Sequence, residues 1–342
     1  MTDKALRILF TWPGADFAVR DVGVGLREAL ARQGHEIADY ELTLRMNYHA
    51  AAMRFGGMDP SPQNLAMITK QASESILVEA LYHKADLVLI ICGLNLHPFA
   101  LQQLYQVKDP RFQVAIVLTE SPYEDQDQAE FVTAHPDMMV FTTERTSARK
   151  YGWHYLRHAY KPDLHRPVDP IPAEACDVLM VGTGWAERQA LLEQIDWTGI
   201  KLRLIGPWPT LPGDHLLQQF HEDYCITNDC VPPLYASAKI CLNVHRQHPD
   251  AESLGPRAYE LAACGAFQIA DPRAELIERF GALVPTFRNA ADLEGAIRYW
   301  LANDRERIER AEAIRQRVQG ETFDVRAAQL IRAIEARPVP RV

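Results

Sequence analysis

The sequence predicts an α/β protein built from two parallel-sheet domains, and three observations carry that prediction. Strand-like and helix-like segments alternate along the chain, the order expected of parallel strands covered by helices. The alternation breaks off in a proline-rich stretch, residues 160–175, and then restarts. Glycines and charged residues gather where strand-like runs end, which is where sheets of this kind bind ligands. With 342 residues, the chain has room for two such domains, each with its own core.

In order, LRILFTW (6–12) reads as a buried strand, VGVGLREALARQGH (22–35) as a helix closed by Gly34, and EIADYEL (36–42) as a second strand. Residues 44–62 carry Met, Gly and Pro without clean periodicity and read as an irregular insertion. ESILVEALYHK (74–84) predicts a helix and ADLVLIICG (85–93) the most deeply buried strand. FQVAIVLTESPYED (112–125) predicts a strand ending in a polar loop, followed by a short strand near 137–142 and a helix over 144–152.

YKPDLHRPVDPIPAEA (160–175) holds four prolines and reads as a stiff connection between domains. Beyond it, 175–184 predicts a strand entering a glycine loop, 186–196 a helix, and 200–209 a strand. A short helix over 232–239, a strand over 240–246 and a helix over 256–266 follow. FQIADP (267–272) and ALVPTF (282–287) read as edge strands. Helices over 292–304, 304–319 and 323–336 complete the chain. The apolar face of the last (Phe323, Ala327, Leu330, Ile331, Ile334) predicts that it packs back on the N-terminal domain.

The composition is that of a globular protein, 47% hydrophobic and 24% charged. No apolar run is long enough to predict a membrane span, and MTDKALRILF lacks the features of a secretory signal, so a cytoplasmic location is expected. The net charge of −9 argues against a chain-wide nucleic-acid surface, although a local basic groove stays compatible with it. The six cysteines form no CxxC and read as reduced; Cys225 and Cys230 have no second cluster to complete a zinc site.

The richest segment is AESLGPRAYELAACGAF (251–267). Gly255 and Pro256 predict a helix start whose free N–H groups and positive dipole attract anions. Arg257 adds charge in the first turn, Glu260 lies three residues on, and Glu252 precedes the helix. This layout suits a nucleoside diphosphate sugar: Arg257 for phosphate, one carboxylate for ribose hydroxyls and one near the sugar. The competing reading is a surface helix with an Arg257–Glu260 ion pair. In VGTGWAERQ (181–189), Gly182 and Gly184 let backbone approach a ligand, and Arg188 starts the next helix. In ICLNVHRQH (240–248), Asn243, His245 and Arg246 follow a strand, His245 as a candidate to touch the sugar or phosphate.

A Glu, seven residues and a second Glu, with Gly-Pro between, resembles the donor motif of retaining GT-B glycosyltransferases. GPRAYELAACGAFQIADPRAEL, with VLTESPYED, LRHAYKPDLHRP, CDVLMVGTGWAERQ and LYASAKICLNVHR, resembles the CgeB-like family, which includes spore-maturation-type and phage-encoded glycosyltransferases. That resemblance implies the GT-B fold: two Rossmann-like domains facing a central cleft, the C-terminal helix crossing back to the first. It implies an N-terminal acceptor-binding domain over 1–160, a linker over 161–175, a donor domain over 176–320 and a returning helix in 321–342. It assigns the ribose to Glu260, the sugar to Glu252 and the diphosphate leaving group to Arg188. It places acceptor binding in the N-terminal half, where Gly14 and Asp16 follow the first strand, Glu120 and Tyr123 the strand ending at 118, and His158 precedes the linker. Glu120 is the candidate to take the acceptor proton if the reaction inverts; stereochemistry stays open.

The implied function is sugar transfer to a hydroxyl acceptor, a DNA base or a surface glycan among the candidates. The sequence shows no coherent His/Cys/Asp cluster, so no metal is predicted, and no cofactor is expected beyond the nucleotide-sugar co-substrate. A nucleotide-sugar epimerase and a non-catalytic binding protein of the same fold are the alternatives.

Overall fold

The computed structural model describes residues 5–13, 18–59, 61–107, 109, 111–133, 135 and 137–336. The chain divides into two compact units, Met1–Arg157 with Phe323–Val342, and His158–Thr322. Residues 161–175, read from sequence as a linker, thus fall within the second unit. They are tied down there by the Ile171 N–H, which donates to Ser237 Oγ at 2.8 Å.

In the first unit the order is β1 (Arg7–Thr11), α1 (Ala18–Arg32), β2 (Glu36–Tyr40), α2 (Leu42–Phe55), α3 (Pro62–Glu74), α4 (Ile76–Tyr82) and β3 (Leu87–Ile91). It continues with α5 (Pro98–Leu104), β4 (Gln113–Leu118), α6 (Asp125–Thr133), β5 (Met139–Thr142), α7 (Arg145–Tyr151) and β6 (His154–Tyr155). The strands pair in the order β2-β1-β3-β4-β5-β6, all parallel. Every residue of β3 is buried, as a central strand covered on both faces requires.

The second unit contains β7 (Cys176–Val181), α8 (Ala186–Leu192), β8 (Leu202–Ile205), β9 (His221–Glu222), α9 (Val231–Ser237) and β10 (Ala238–Asn243). Then come α10 (Pro256–Ala263), β11 (Gln268–Ala270), α11 (Ala274–Phe280), α12 (Ala290–Ala302) and α13 (Asp304–Val318). The sheet order is β11-β10-β7-β8-β9, again all parallel. Strand order reverses at β7, so β7 and β10 flank the switch point at which such sheets bind ligands.

Two sequence-based expectations need correction. The stretch over 44–62 is not irregular: it contains most of α2 and the start of α3, the latter capped by Ser61 Oγ accepting the Asn64 N–H at 3.3 Å. Its periodicity was illegible because α2 buries only Leu42 and Met53 while Leu44, Tyr48 and Phe55 face outward. Residues 282–287 form no strand; a 3-10 turn over Gly281–Leu283 leads to a single bridge between Thr286 and Ala270. Val284 and Phe287 are buried by packing alone, which gives the strand-like pattern without a ladder.

The last helix, α14 (Phe323–Glu335), returns to the first unit and packs on α1. Its buried face is the one its sequence predicts. The Asp324 carboxylate accepts two bonds from Arg32, at 2.8 and 3.0 Å, and Arg326 Nε donates to the Arg157 carbonyl at 3.0 Å. The two helices approach closely because α1 has Gly25 at the contact: a Cβ there would lie 2.3 Å from the Phe323 ring. Gly25→Ala is therefore expected to lose about 1–3 kcal/mol by overpacking, although alanine at an open helical site gains up to about 1 kcal/mol over glycine. Urea unfolding of the two proteins checks the sign.

Candidate functional site

At the switch point, β7 runs into Gly182 (φ 130°), whose N–H donates to the Ile205 carbonyl at 2.7 Å. The neighbouring strand β8 runs into Gly206 (φ 135°), where a Cβ would come within 2.7 Å of the Gly182 oxygen. Both positions demand glycine by backbone conformation, and Gly206 by backbone contact as well. Trp208 covers this corner, donating from Nε1 to the Gly182 carbonyl at 3.2 Å. It also fills the space above Gly184, where a Cβ would lie 2.0 Å from its ring. The reading of Gly184 as a point of ligand approach is corrected: that glycine is buried and makes room for tryptophan. Over Gly182 the neighbour is different. The Arg257 guanidinium rests there, its Nη2 2.6 Å from where a Cβ would stand.

Arg257 belongs to the first turn of α10, which starts at Gly255 and Pro256 with no side chain capping it. Among the described residues the Arg257 guanidinium makes no hydrogen bond or ion pair, so the surface Arg257–Glu260 pair is not formed. Glu260 is buried, 8% exposed. Its Oε1 accepts from Asn228 Nδ2 at 3.4 Å and lies 3.9 Å from His165 Nε2. Oε2 has no partner among the described residues. Burial pushes the Glu260 carboxyl up to about 7, against the opposing pull of the Arg257 charge and the Asn228 bond.

The loop from β10 to α10 is held by buried charge. Arg273, 5% exposed, donates to the carbonyls of Ala251 and Arg246, both at 2.7 Å, and from Nε to Asp271 at 3.2 Å. Asp271 Oδ1 accepts the His245 backbone N–H at 2.7 Å and faces His245 Nδ1 at 2.9 Å. Burial alone would raise the Asp271 carboxyl; the His245 charge and bonds, with Arg273, hold it below the usual range. Glu275 accepts from the Leu254 N–H at 2.6 Å and the Tyr259 hydroxyl at 2.9 Å. Its own N–H donates to the Glu252 carbonyl at 3.1 Å. Fixed this way, His245 lies against Gly255, with Nε2 buried and without a hydrogen-bond partner among the described residues.

Other sequence candidates fall differently. Arg188 does not project from its helix; it is buried, donating to the Thr183 carbonyl at 2.5 Å and to the Val244 carbonyl, so it ties together the loops after β7 and β10. Asn243 points into the core, donating to Gln268 Oε1 at 3.1 Å, and Gln268 in turn donates to the Ala258 carbonyl. It braces α10 rather than lining the site. Arg246 is exposed over the Trp185 ring at 5.2 Å. Glu252 is half-buried in the loop before α10.

Glu120 and Tyr123 share a turn after β4 in the first unit, the Tyr123 N–H donating to the Glu120 carbonyl at 2.9 Å. His158 is buried and opens the second unit. Gly14 and Asp16 lie outside the described residues. Among the described residues no three His, Cys, Asp or Glu side chains gather as a metal site, and no helix is long and apolar enough to cross a membrane.

Sequence reasoning missed Asp271, Arg273 and Glu275, although three charges at alternate positions from the end of a strand read as lying at the sheet edge were a usable signal. It also missed His165 and Asn228, which carry none: they meet Glu260 only through the fold.

Residues 175–332 match the model of a glycosyl transferase-like family. No curated protein matches the chain in sequence. Solved structures match over nearly its whole length. Sucrose-phosphate synthase from Thermosynechococcus elongatus is 15% identical with a TM-score of 0.66, covering 97% of this chain and 99% of that one. HepE from Anabaena, in complex with UDP-glucose, is 12% identical with a TM-score of 0.67, covering 97% and 100%. An alpha-glucosyltransferase in complex with UDP-glucose and DNA containing an abasic site is 9% identical with a TM-score of 0.68, covering 98% and 100%. The fold is that of GT-B glycosyltransferases.

The raised Glu260 carboxyl has a consequence for stability. It titrates at about 7 when folded against an ordinary value of 4.5, so the folded state holds this proton more tightly. The stabilisation is complete below pH 4.5 and is lost as pH rises to about 7. Glu260→Gln has no such loss and is expected to exceed the wild type above pH 7 by on the order of 3 kcal/mol. Urea unfolding at pH 5 and pH 8 measures the difference; equal slopes with pH in both proteins would contradict it.

Proposed function

We propose that the protein transfers a sugar from a nucleotide-activated donor to a hydroxyl acceptor, with the donor held by the second unit. One observation carries this reading: a guanidinium without an ionic partner among the described residues lies over Gly182, at an uncapped helix start, one turn before a buried carboxylate. Leaving a cation unpaired and enclosing a carboxylate both cost stability, and a nucleoside diphosphate supplies what each group lacks. Phosphate oxygens take the Arg257 donors and the dipole of α10. The ribose hydroxyls donate to Glu260.

In the transfer step, the acceptor hydroxyl loses its proton and its oxygen bonds to the anomeric carbon. The bond from that carbon to the phosphate oxygen breaks and the nucleoside diphosphate leaves. Charge developing on it meets Arg257 and the helix start, already in place, which is the role a divalent metal would otherwise fill. Arg188 adds a buried positive charge beneath the same corner. His245, its ring fixed by Asp271, is assigned to the sugar or phosphate, and Glu252 to the sugar.

The acceptor is assigned to the first unit, with Glu120 and Tyr123 as its contacts and Glu120 placed to receive the proton. The DNA-bound neighbour supports a hydroxylated DNA base as one acceptor, while the net charge of −9 favours a glycan or small molecule. The quoted motifs support the CgeB-like branch of the fold.

Arg257→Ala is expected to weaken UDP binding about tenfold to a hundredfold, the equivalent of one or two charge-assisted bonds, while leaving uridine affinity nearly unchanged. Calorimetric titration of both ligands checks this, and an equal loss for uridine would remove Arg257 from the phosphates. Turnover of a nucleotide sugar is expected to persist in EDTA. Product analysis that finds an isomerised donor, and no new glycoside with any acceptor, would replace transfer with epimerisation.

A further inference from the structure

The carboxylate assigned to the ribose is not positioned by its own helix. His165, in the proline-rich segment, has a fully enclosed side chain. Its Nδ1 accepts the Lys161 backbone N–H at 3.1 Å, which leaves the ring hydrogen on Nε2. That nitrogen faces Asn228 Oδ1 at 3.2 Å and donates to it. An amide whose oxygen is engaged in this way turns its NH2 to the other side, where Glu260 Oε1 lies 3.4 Å away. The hydrogens therefore run in one direction, from the Lys161 backbone through His165 and Asn228 to Glu260. The tautomer and the amide orientation follow from this network, since each alternative sets a donor against a donor or an acceptor against an acceptor.

We propose that His165 and Asn228 are positioning residues: their relay occupies Oε1, favours the ionised carboxylate, and leaves Oε2 aimed at the hydroxyls of a nucleoside ligand. The consequence for ligand binding rests on the donor reading above; the relay itself does not. An asparagine donor can act on only one oxygen, so the rotation of the carboxylate is fixed while its second oxygen stays available.

The groups that face Glu260 are Arg257 from α10, Cys264 just after that helix, Tyr235 from α9, and the two relay residues. Burial, and then the Glu260 charge, push the Tyr235 phenol up and the Cys264 thiol up to about 12, so neither ionises near neutrality. Arg257 and Asn228 are the groups that oppose burial and lower the Glu260 carboxyl. Removing Asn228 therefore moves the Glu260 titration upward, and removing His165 does so only through Asn228.

The test is infrared titration of the carboxyl band in the intact protein, with the Glu260 signal identified by its loss in Glu260→Gln. In Asn228→Ala the midpoint is expected to rise by about one pH unit, a tenfold change in proton affinity. In Asn228→Asp it rises further, because a second carboxylate then faces Oε1. His165→Ala is expected to raise it as well, and the double variant Asn228→Ala/His165→Ala no further than Asn228→Ala alone. An unchanged midpoint in folded Asn228→Ala, or a His165→Ala effect that adds in full to it, overturns the relay. Should His165→Ala fail to fold, the two Asn228 variants, on a half-buried turn, decide the matter. UDP titration of Glu260→Gln runs alongside. Shifted midpoints with UDP affinity unaffected by Glu260→Gln uphold the relay and remove the donor reading.

Discussion

Three buried charges that follow β11 fix the geometry on which the proposed site depends. Asp271, Arg273 and Glu275 all turn towards the loop between β10 and α10 and bond its backbone at both ends. Enclosing such charges costs several kcal/mol each unless their partners are complete, and here the partners are the loop carbonyls and N–H groups themselves. A loop held that way has little freedom to wander. It delivers His245 and the first turn of α10, with Arg257, to the carboxyl ends of β7 and β10.

The floor is fixed by different means. Gly182 and Gly206 bring two strand ends into backbone contact, Trp208 closes over Gly184, and Arg188 joins the loops after β7 and β10. At Gly206 and Gly184 a backbone and an indole ring already stand where a side chain would be, and at Gly182 the backbone conformation itself excludes one. The corner is consequently preorganised: Arg257 sits above a backbone that does not rearrange. Preorganised charge is what stabilises a leaving group without the cost of reorientation at the moment of reaction.

The buried carboxylate of Glu260 sits uneasily in this otherwise satisfied unit. Its surroundings raise its proton affinity, and only Arg257, Asn228 and the relay behind Asn228 oppose that. Local instability of this kind is tolerated where it serves binding, because a ligand can supply the missing partners. The exposed apolar side chains of α2 in the first unit, Leu44, Tyr48 and Phe55, are a second departure from the usual pattern. They explain why that helix was unreadable: a pattern reports burial, and this helix buries little.

Sequence by itself determined the α/β class, the restart of the strand–helix alternation after residue 175, the returning helix α14, and the segment 251–267 as the place to look. Those features are local: hydrophobic period, Gly-Pro at a helix start, and an apolar face are properties of neighbouring residues. Tertiary structure alone decided what individual polar residues do. Arg188 and Asn243 stand beside the site in sequence, yet the fold commits one to loop carbonyls and the other to Gln268. His165 and Asn228 are far from Glu260 in sequence and reach it in space. A side chain's role follows from which donors and acceptors surround it once water is excluded. That surrounding is assembled by sheet order and helix packing, which no local pattern records.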